Sequence, residues 1–593
     1  NSVVIGMRAG YYGTGDGNVY MGFQSGYGDS TTNNGTYNTA IGYESMEKVQ
    51  DADENVAIGS QALWDNTSGD GNTSVGTNAL YRNTTAAHNV AVGHRAMFTS
   101  TTAAQNVSIG KSTLYNLTDG DNNVAIGYKA GYDVTTGTEN VLVGPEAGEN
   151  LIAGAYNVAI GSDALKTSTA ANYSIAIGKN AMGSGDVTAT RHTVGIGYAA
   201  LQNATSAGES VMIGSYAGDA VTTGGDNTGV GHAALSTIAG GANNTAVGRE
   251  AMRDIAAGSN YNTGIGSGVF GYGGGTQLGN TGVGTWAGYY PTGNYNVFMG
   301  YKAGYGDSST KSAHNNVGIG SEALFSITSG DNNVAIGYQA GYSQTTGDDG
   351  EVYIGYKAGR ADYGTNRNIA IGSEALITNT TGSNNIAIGY KALEDQLDAV
   401  HNIAIGREAG KNLTKNQNVA IGTYAMTGAV AQYYNTAVGD GAMRGSTGGD
   451  RNTAIGYHAI GNDTTGTGGG QSVAVGFGAL RKNSSSAMTA IGYESMNVNT
   501  SGEENTTVGY QTLVANTTGS YNTSVGYQAM KSNTTGNYNT VFGHKALYTN
   551  VDGDRNTAIG HMALYTLEPS DGGGGNTAVG DRAGYTMSTG HSN

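Results

Sequence analysis

The sequence predicts an all-β protein, a β-solenoid of 34 coils with a modal 17-residue repeat. Three observations carry that expectation. A motif of the form Asn123-Val124-Ala125-Ile126-Gly127 returns along the whole chain, its final glycine running from Gly6 to Gly580. Of the 33 intervals between those glycines 21 are 17 residues, and the rest are 16, 18, 19 or 20. The chain also lacks helical periodicity, and a unit this short suits one coil of strand, turn and loop, not a helix pair or a folded domain.

Column by column, the motif reads as a strand. Three places before the glycine all 34 copies carry Val, Ile or Thr, and one place before it all 34 carry Ile, Val, Met or Phe. These β-branched and large apolar types favour strands. Two residues apart, they share one strand face, which is expected to form the core, with ladders such as Ile371, Ile388, Ile405 and Ile421. The column between them is Ala, Gly or Ser in 26 copies, as at Ala370, Ala387, Ala404 and Ala420. A face kept this small predicts close packing against another backbone. A subunit interface is the favoured reading, and a tight turn or steric crowding within one chain is the alternative.

The remaining columns close the coil. Four places before the glycine 27 copies have Asn, which tolerates left-handed backbone and bonds locally in turns. The motif glycine is expected in a conformation closed to residues with a Cβ. Three places after it 28 copies have Ala; one place further 23 have a larger apolar residue and 11 have Gly. An exposed polar loop follows, as at Asn379-Thr380-Thr381-Gly382 and Asn533-Thr534-Thr535-Gly536. The four 20-residue intervals should bulge near 29–35, 307–313, 464–470 and 569–575, either as the loops that would carry any ligand contacts or as tolerated insertions without a ligand. Segments 18–42 and 296–320 match at 13 of 25 positions, which implies duplication in blocks of several coils.

Composition narrows the function classes. Charged residues are 12% of the chain, about half the usual share. The 3 prolines exclude collagen, and the absence of Cys excludes disulfides and thiolate metal sites. A net charge of -17 argues against nucleic acid as a partner. No apolar run approaches the roughly 18 residues that span a bilayer, so this segment is not expected to insert into a membrane. Residues 1–593 read as one continuous array. The chain opens on a motif with no initiator Met and no cap, which predicts a slice of a longer protein.

The motif, as in Asn1-Ser2-Val3-Val4-Ile5-Gly6 and Asn55-Val56-Ala57-Ile58-Gly59-Ser60-Gln61-Ala62, resembles the head repeat of trimeric autotransporter adhesins, the Yersinia-adhesin-like group. Similar repeats occur in phage tail fibres, with the Tyr and Asn-Thr-Thr-Gly flavour seen between Gly526 and Gly543. The resemblance implies a left-handed parallel β-roll in which three chains associate as a homotrimeric fibre. The adhesin heads use shorter coils, and the coiled-coil stalk and membrane anchor of those proteins are not seen here.

Candidate sites are few. Gly195-Ile196-Gly197-Tyr198-Ala199-Ala200 imitates a dinucleotide loop without the βαβ unit such a loop needs. The acidic loops Asp119-Gly120-Asp121-Asn122 and Asp552-Gly553-Asp554 read as polar turns before calcium sites. His544 and His561 share a column and read as surface histidines before a shared metal site. Glu322, Glu374 and Glu408 sit at a variable surface position with no partner carboxylate for glycosidase chemistry. Triplets such as Asn83-Thr84-Thr85 read as turns first and glycosylation acceptors second. Tyrosine stands out: 39 Tyr against 7 Phe and 2 Trp. Tyr338, Tyr356, Tyr493, Tyr510 and Tyr527 all follow a motif glycine, where they either stabilise the ladder or offer a contact surface.

No residue is assigned to catalysis, to a cofactor or to a metal. The expected function is a surface-exposed fibre shaft with an adhesive or receptor-binding role. It is extracellular on a cell or virion, associates with itself, and contacts a host-cell surface glycan or protein. With ~4.8 Å per coil the array would extend about 160 Å. The alternative is a tailspike-like polysaccharide depolymerase, which needs a break in the repeat carrying clustered carboxylates or His. Ice binding through Thr ranks is set aside because the Thr column is expected on the core face.

Overall fold

The computed structural model describes the chain except residues 29–32, 186–190, 273, 291–292, 307–311, 345–348, 364–366, 431, 462–468, 569–572 and 591. The described residues form 34 strands of three residues each and no helix. They divide into two compact units, Asn1–Asn296 and Val297–Asn593. The first holds strands β1 (Val3–Ile5) to β17 (Thr281–Val283), and the second β18 (Val297–Met299) to β34 (Thr577–Val579). Within each unit every strand pairs in parallel with the next, in register, so that Ile371, Ile388, Ile405 and Ile421 form one row. The parallel β-solenoid is thus present, with one motif per coil.

The expected polarity of the strand is inverted. From β2 onward the central residue of every strand is buried, and its two β-branched neighbours are half-buried or exposed. Ala370, Ala387, Ala404 and Ala420 lie at 0% exposure inside a single chain, so they are not at a subunit interface. Ile371, Ile388, Ile405 and Ile421 point outward, as does the Thr column at Thr436, Thr453 and Thr489. The cause is the narrow bore of the coil. A Cβ at Gly195 would stand 3.3 Å from the carbonyl oxygen of Ala200 in the same coil. Only Ala, Gly or Ser fits comfortably there, so crowding within one chain explains the small column.

Where a larger residue does point inward, glycines make room for it. A Cβ on Gly131 or on Gly148 would come within 2.8 Å of the Leu142 side chain. Tyr353 is likewise crowded by Gly341 and Gly359, and Tyr20 by Gly10 and Gly26. These glycines stand four places after the motif glycine, where other coils carry Leu63, Leu80 or Met97, all fully buried. The 11 copies with Gly at this position include the partners of the bulky inward residues. Burial pushes the Tyr20 phenol up to about 12.

The motif asparagine is a core residue, not a left-handed turn residue. Asn106 N–H donates to Asn89 Oδ1 at 2.9 Å, and Asn123 N–H to Asn106 Oδ1 at 2.8 Å. In many coils the Nδ2 also donates to a carbonyl of the following coil, as from Asn123 to Gly137 O at 2.8 Å. Asparagine alone combines a short acceptor and a donor in the arrangement this ladder uses. The left-handed residue is the one ahead of it, Glu54 at φ 59° for example, joined by Gln61 and Leu63 at 53° and 54° after the glycine. The loop is also less exposed than expected. Asn379 and Asn533 are fully buried, and Asn533 Nδ2 donates to Asn516 Oδ1 at 3.0 Å in a second ladder.

The motif glycine has two reasons to be glycine. Gly372 has φ 137°, and a Cβ there would stand 2.5 Å from the carbonyl oxygen of Gly389 in the next coil. Gly372→Ala is therefore expected to cost ~2 kcal/mol or more, concentrated in adjacent coils. Gly274, with nothing within 4 Å of an added Cβ, should accept Ala within ~0.5 kcal/mol. Hydrogen exchange and thermal melting of the two variants check the contrast.

Candidate functional site

With the small column inside, the outward strand face becomes the most conspicuous surface. Ile58 and Ile160 are 39% exposed and Ile455 is 41% exposed, each beside a Val or Thr two residues earlier. Seventeen strands in register at ~4.8 Å make this apolar ridge about 77 Å long in each unit. Monomeric proteins seldom leave so continuous an apolar surface uncovered, and such patches mark interaction sites.

The tyrosines expected as a contact surface are exposed and stacked. Tyr493 and Tyr510 have ring centroids 5.1 Å apart and near-parallel planes, as do Tyr510 and Tyr527. The stack continues from Tyr457 and Phe477 through Tyr527 to His544. Tyr338 and Tyr356 stack at 5.6 Å. Stacking covers the ring faces within each row and leaves edges and hydroxyls toward solvent. A row of this kind suits polar contacts better than face-on packing of a sugar ring.

A second aromatic column, which the sequence reading did not single out, runs Trp64, Tyr81, Phe98, Tyr115 and Tyr132 at 5.0–5.1 Å. Lys48 caps it, its ammonium 3.9 Å from the Trp64 ring centre. Beside it lies an open groove of about 520 Å³ lined by Arg82, Thr99, Asn116 and Asp133 on one side and Thr101, Thr118, Thr135 and Ile152 on the other. The two rows are two residues apart with a buried residue between, the same alternation that builds the strand face. The groove was not legible in the sequence because Thr, Asn, Asp and Arg share no motif there. A cue was present in the equal spacing of Thr101, Thr118 and Thr135.

The other candidates resolve into contacts within and between coils. Glu322 accepts from Gln339 at 2.7 Å, Glu374 pairs with Lys391 at 3.3 Å, and Glu408 pairs with Arg407 at 3.6 Å. Hydrogen bonds to Glu394 and Glu374 hold the Lys391 ammonium above the ordinary lysine range. Asp121 accepts from Ala104 N–H at 2.7 Å, and Asp554 from Asn537 N–H at 2.7 Å, so both acidic loops bridge successive coils. His561 pairs with Asp581 at 2.7 Å and lies 5.2 Å from the ring centre of His544. No group of three or more potential metal-binding side chains occurs among the described residues. The dinucleotide-like stretch after β12 (Val194–Ile196) enters a turn, not a helix. Much of each expected bulge, within 29–35, 307–313, 464–470 and 569–575, lies outside the described residues.

No known family model matches the chain, and no curated protein matches it in sequence.

Two outcomes follow from these placements. Tyr510→Ala interrupts the stack on both sides and should cost ~1 kcal/mol, whereas Tyr510→Phe should be nearly neutral, as thermal melting will show. Asn83 and Asn533, both fully buried, should stay unmodified when the chain is secreted from a glycosylating host. Mass spectrometry of the corresponding peptides reads this directly.

Proposed function

We propose that the chain is a non-catalytic structural shaft, exposed on a cell or virion surface, whose copies associate through the outward strand face. The observation that supports this best is the apolar ridge of Ile, Val and Thr left uncovered along each unit. Burying it releases ordered water at about 25 cal/mol per Å² of apolar surface. Three copies is the number that the resemblance to trimeric adhesins implies. A β-solenoid is equally compatible with a tailspike-like depolymerase. The only buried carboxylates among the described residues are Glu351 and Asp362, fully enclosed within one coil, which favours the shaft reading. The Thr-lined groove beside Trp64–Tyr132 and the tyrosine hydroxyl rows are the surfaces offered to a host glycan or protein.

The shaft reading has a direct test. Sedimentation equilibrium of the purified chain should give a trimer. Ile388→Lys with Ile405→Lys should dissociate it, because burying unpaired ammonium groups costs several kcal/mol each. Tyr390→Lys, at an exposed position, should leave assembly intact. A folded wild-type monomer would defeat the proposal and leave the outward Thr ranks free, reviving the ice-binding reading. For the ligand, Thr118→Tyr narrows the groove, and undiminished attachment to cells by a still-trimeric variant would exclude that groove.

A further inference from the structure

One coil has an interior unlike the rest. The chain has 45 acidic residues, and among those described only Glu351 and Asp362 are buried, each at 0% exposure. They belong to the same coil, that of β21 (Val352–Ile354). Glu351 is the one charged residue in the asparagine column, and it takes over that column's acceptor role. Glu351 N–H donates to Asn333 Oδ1 at 2.9 Å, and Asn368 N–H donates to Glu351 Oε2 at 2.5 Å. Asp362 Oδ2 accepts from Asn368 Nδ2 at 3.1 Å.

Both carboxyl groups converge on one phenol. The Tyr353 hydroxyl lies 3.1 Å from Glu351 Oε2 and in hydrogen-bond contact with Asp362 Oδ2. A phenol has one proton to donate. Two hydrogen bonds among three oxygens need two protons, so the second comes from a carboxyl group. No Lys or Arg is buried among the described residues. Two bare carboxylates in this interior would cost several kcal/mol each, and a proton is the cheapest neutraliser. Gln344, one coil earlier and fully buried, has no hydrogen-bond partner for either amide atom among the described residues. Its Oε1 and the Tyr353 ring both approach the point where a Cβ on Gly341 would stand, at 3.4 and 2.9 Å. A polar side chain thus reaches the same part of the interior as the Tyr353 ring.

We propose that the interior of this coil is a proton-binding site, in which Glu351 and Asp362 share one proton across the Tyr353 hydroxyl at neutral pH. When that proton leaves to water, the coil holds a second buried negative charge and opens, while its neighbours stay closed. Among the described residues, the charged side chains of these coils other than Glu351 and Asp362 are not buried. The preceding coil, of β20 (Val334–Ile336), contributes Asn333 and Gln344, and the following one, of β22 (Ile369–Ile371), contributes Asn368. Arg360 turns outward to Gln339 Oε1 at 3.0 Å, and Asp349 and Arg367 are exposed. The sign follows from linkage. A carboxyl whose folded pKa is raised contributes stability that is complete below its ordinary value of about 4 and is lost as pH rises through the folded value.

Infrared spectra of the whole wild-type chain test this without any variant. At neutral pH they should contain the carbonyl band of a buried protonated carboxylic acid, and that band should disappear on alkalinisation. Over the same pH range, amide exchange at Val352–Ile354, corrected for the intrinsic rate, should accelerate by up to about tenfold per pH unit above the site's pKa. Exchange at β10 (Val158–Ile160) should not. Asp362→Asn and Glu351→Gln should each remove the band and flatten the local pH dependence. Absence of the band in the wild-type spectrum overturns the proposal. So does calcium-dependent protection of β21 that a chelator abolishes, because the neutraliser would then be a metal ion.

Discussion

Everything in this structure answers to the width of the coil. Stacking one short strand on the next through main-chain hydrogen bonds fixes the rise, and the turns leave little room opposite the strand centre, where a Cβ at Gly195 would already stand 3.3 Å from the Ala200 carbonyl oxygen. Ala at the strand centre, glycine beside the bulky exceptions Tyr20, Leu142 and Tyr353, and glycine at the bend are consequences of that one dimension. The asparagine ladder follows as well. A bore this narrow excludes water, so each buried main-chain donor and acceptor at the strand entrance needs a short side chain to satisfy it.

The same dimension exports the hydrophobic surface. A wide solenoid hides its Val and Ile inside, where they provide most of the folding energy. Here those residues stand outside, and the single chain holds together through main-chain ladders, Asn ladders and close Ala and Leu packing. The apolar ridge therefore links the fold to the proposed function, because stabilisation deferred by the lone chain would become available if copies met. The aromatic stacks have a smaller role on the opposite terms. They pack along the stack of coils within one chain and present polar edges outward.

Much of this was legible in the sequence, and the failures are instructive. The period, the strand at each motif, the parallel in-register rows and the need for glycine at the bend all follow from repetition and from β-branched columns. Which face was inside did not follow. Hydrophobicity ranks Ile371 above Ala370, whereas the bore ranks them by size, and only the three-dimensional width decides. Asn379 and Asn533 misled for a related reason, since an Asn-Thr-Thr-Gly string describes an exposed turn unless the asparagine joins a ladder. The groove at Arg82 to Ile152 arises from residues of mixed chemistry one coil apart, which no single-coil motif records. Glu351 was visible as a departure from its column, but its meeting with Asp362 depends on Tyr353 reaching across the interior.

The pairing of each bulky inward residue with glycines on two successive coils bears on how such arrays grow. Tyr353 occupies space that both Gly341 and Gly359 vacate, and Leu142 does the same between Gly131 and Gly148. A single coil copied or lost by recombination would separate a large side chain from one of its vacancies, leaving a clash on one side and a hole on the other. The smallest exchangeable segment across such places is a run of coils that includes both glycines. The partial identity of 18–42 and 296–320 likewise spans more than one motif. Lengthening of such an array would thus be quantised in multi-coil cassettes, even though its visible repeat is one coil.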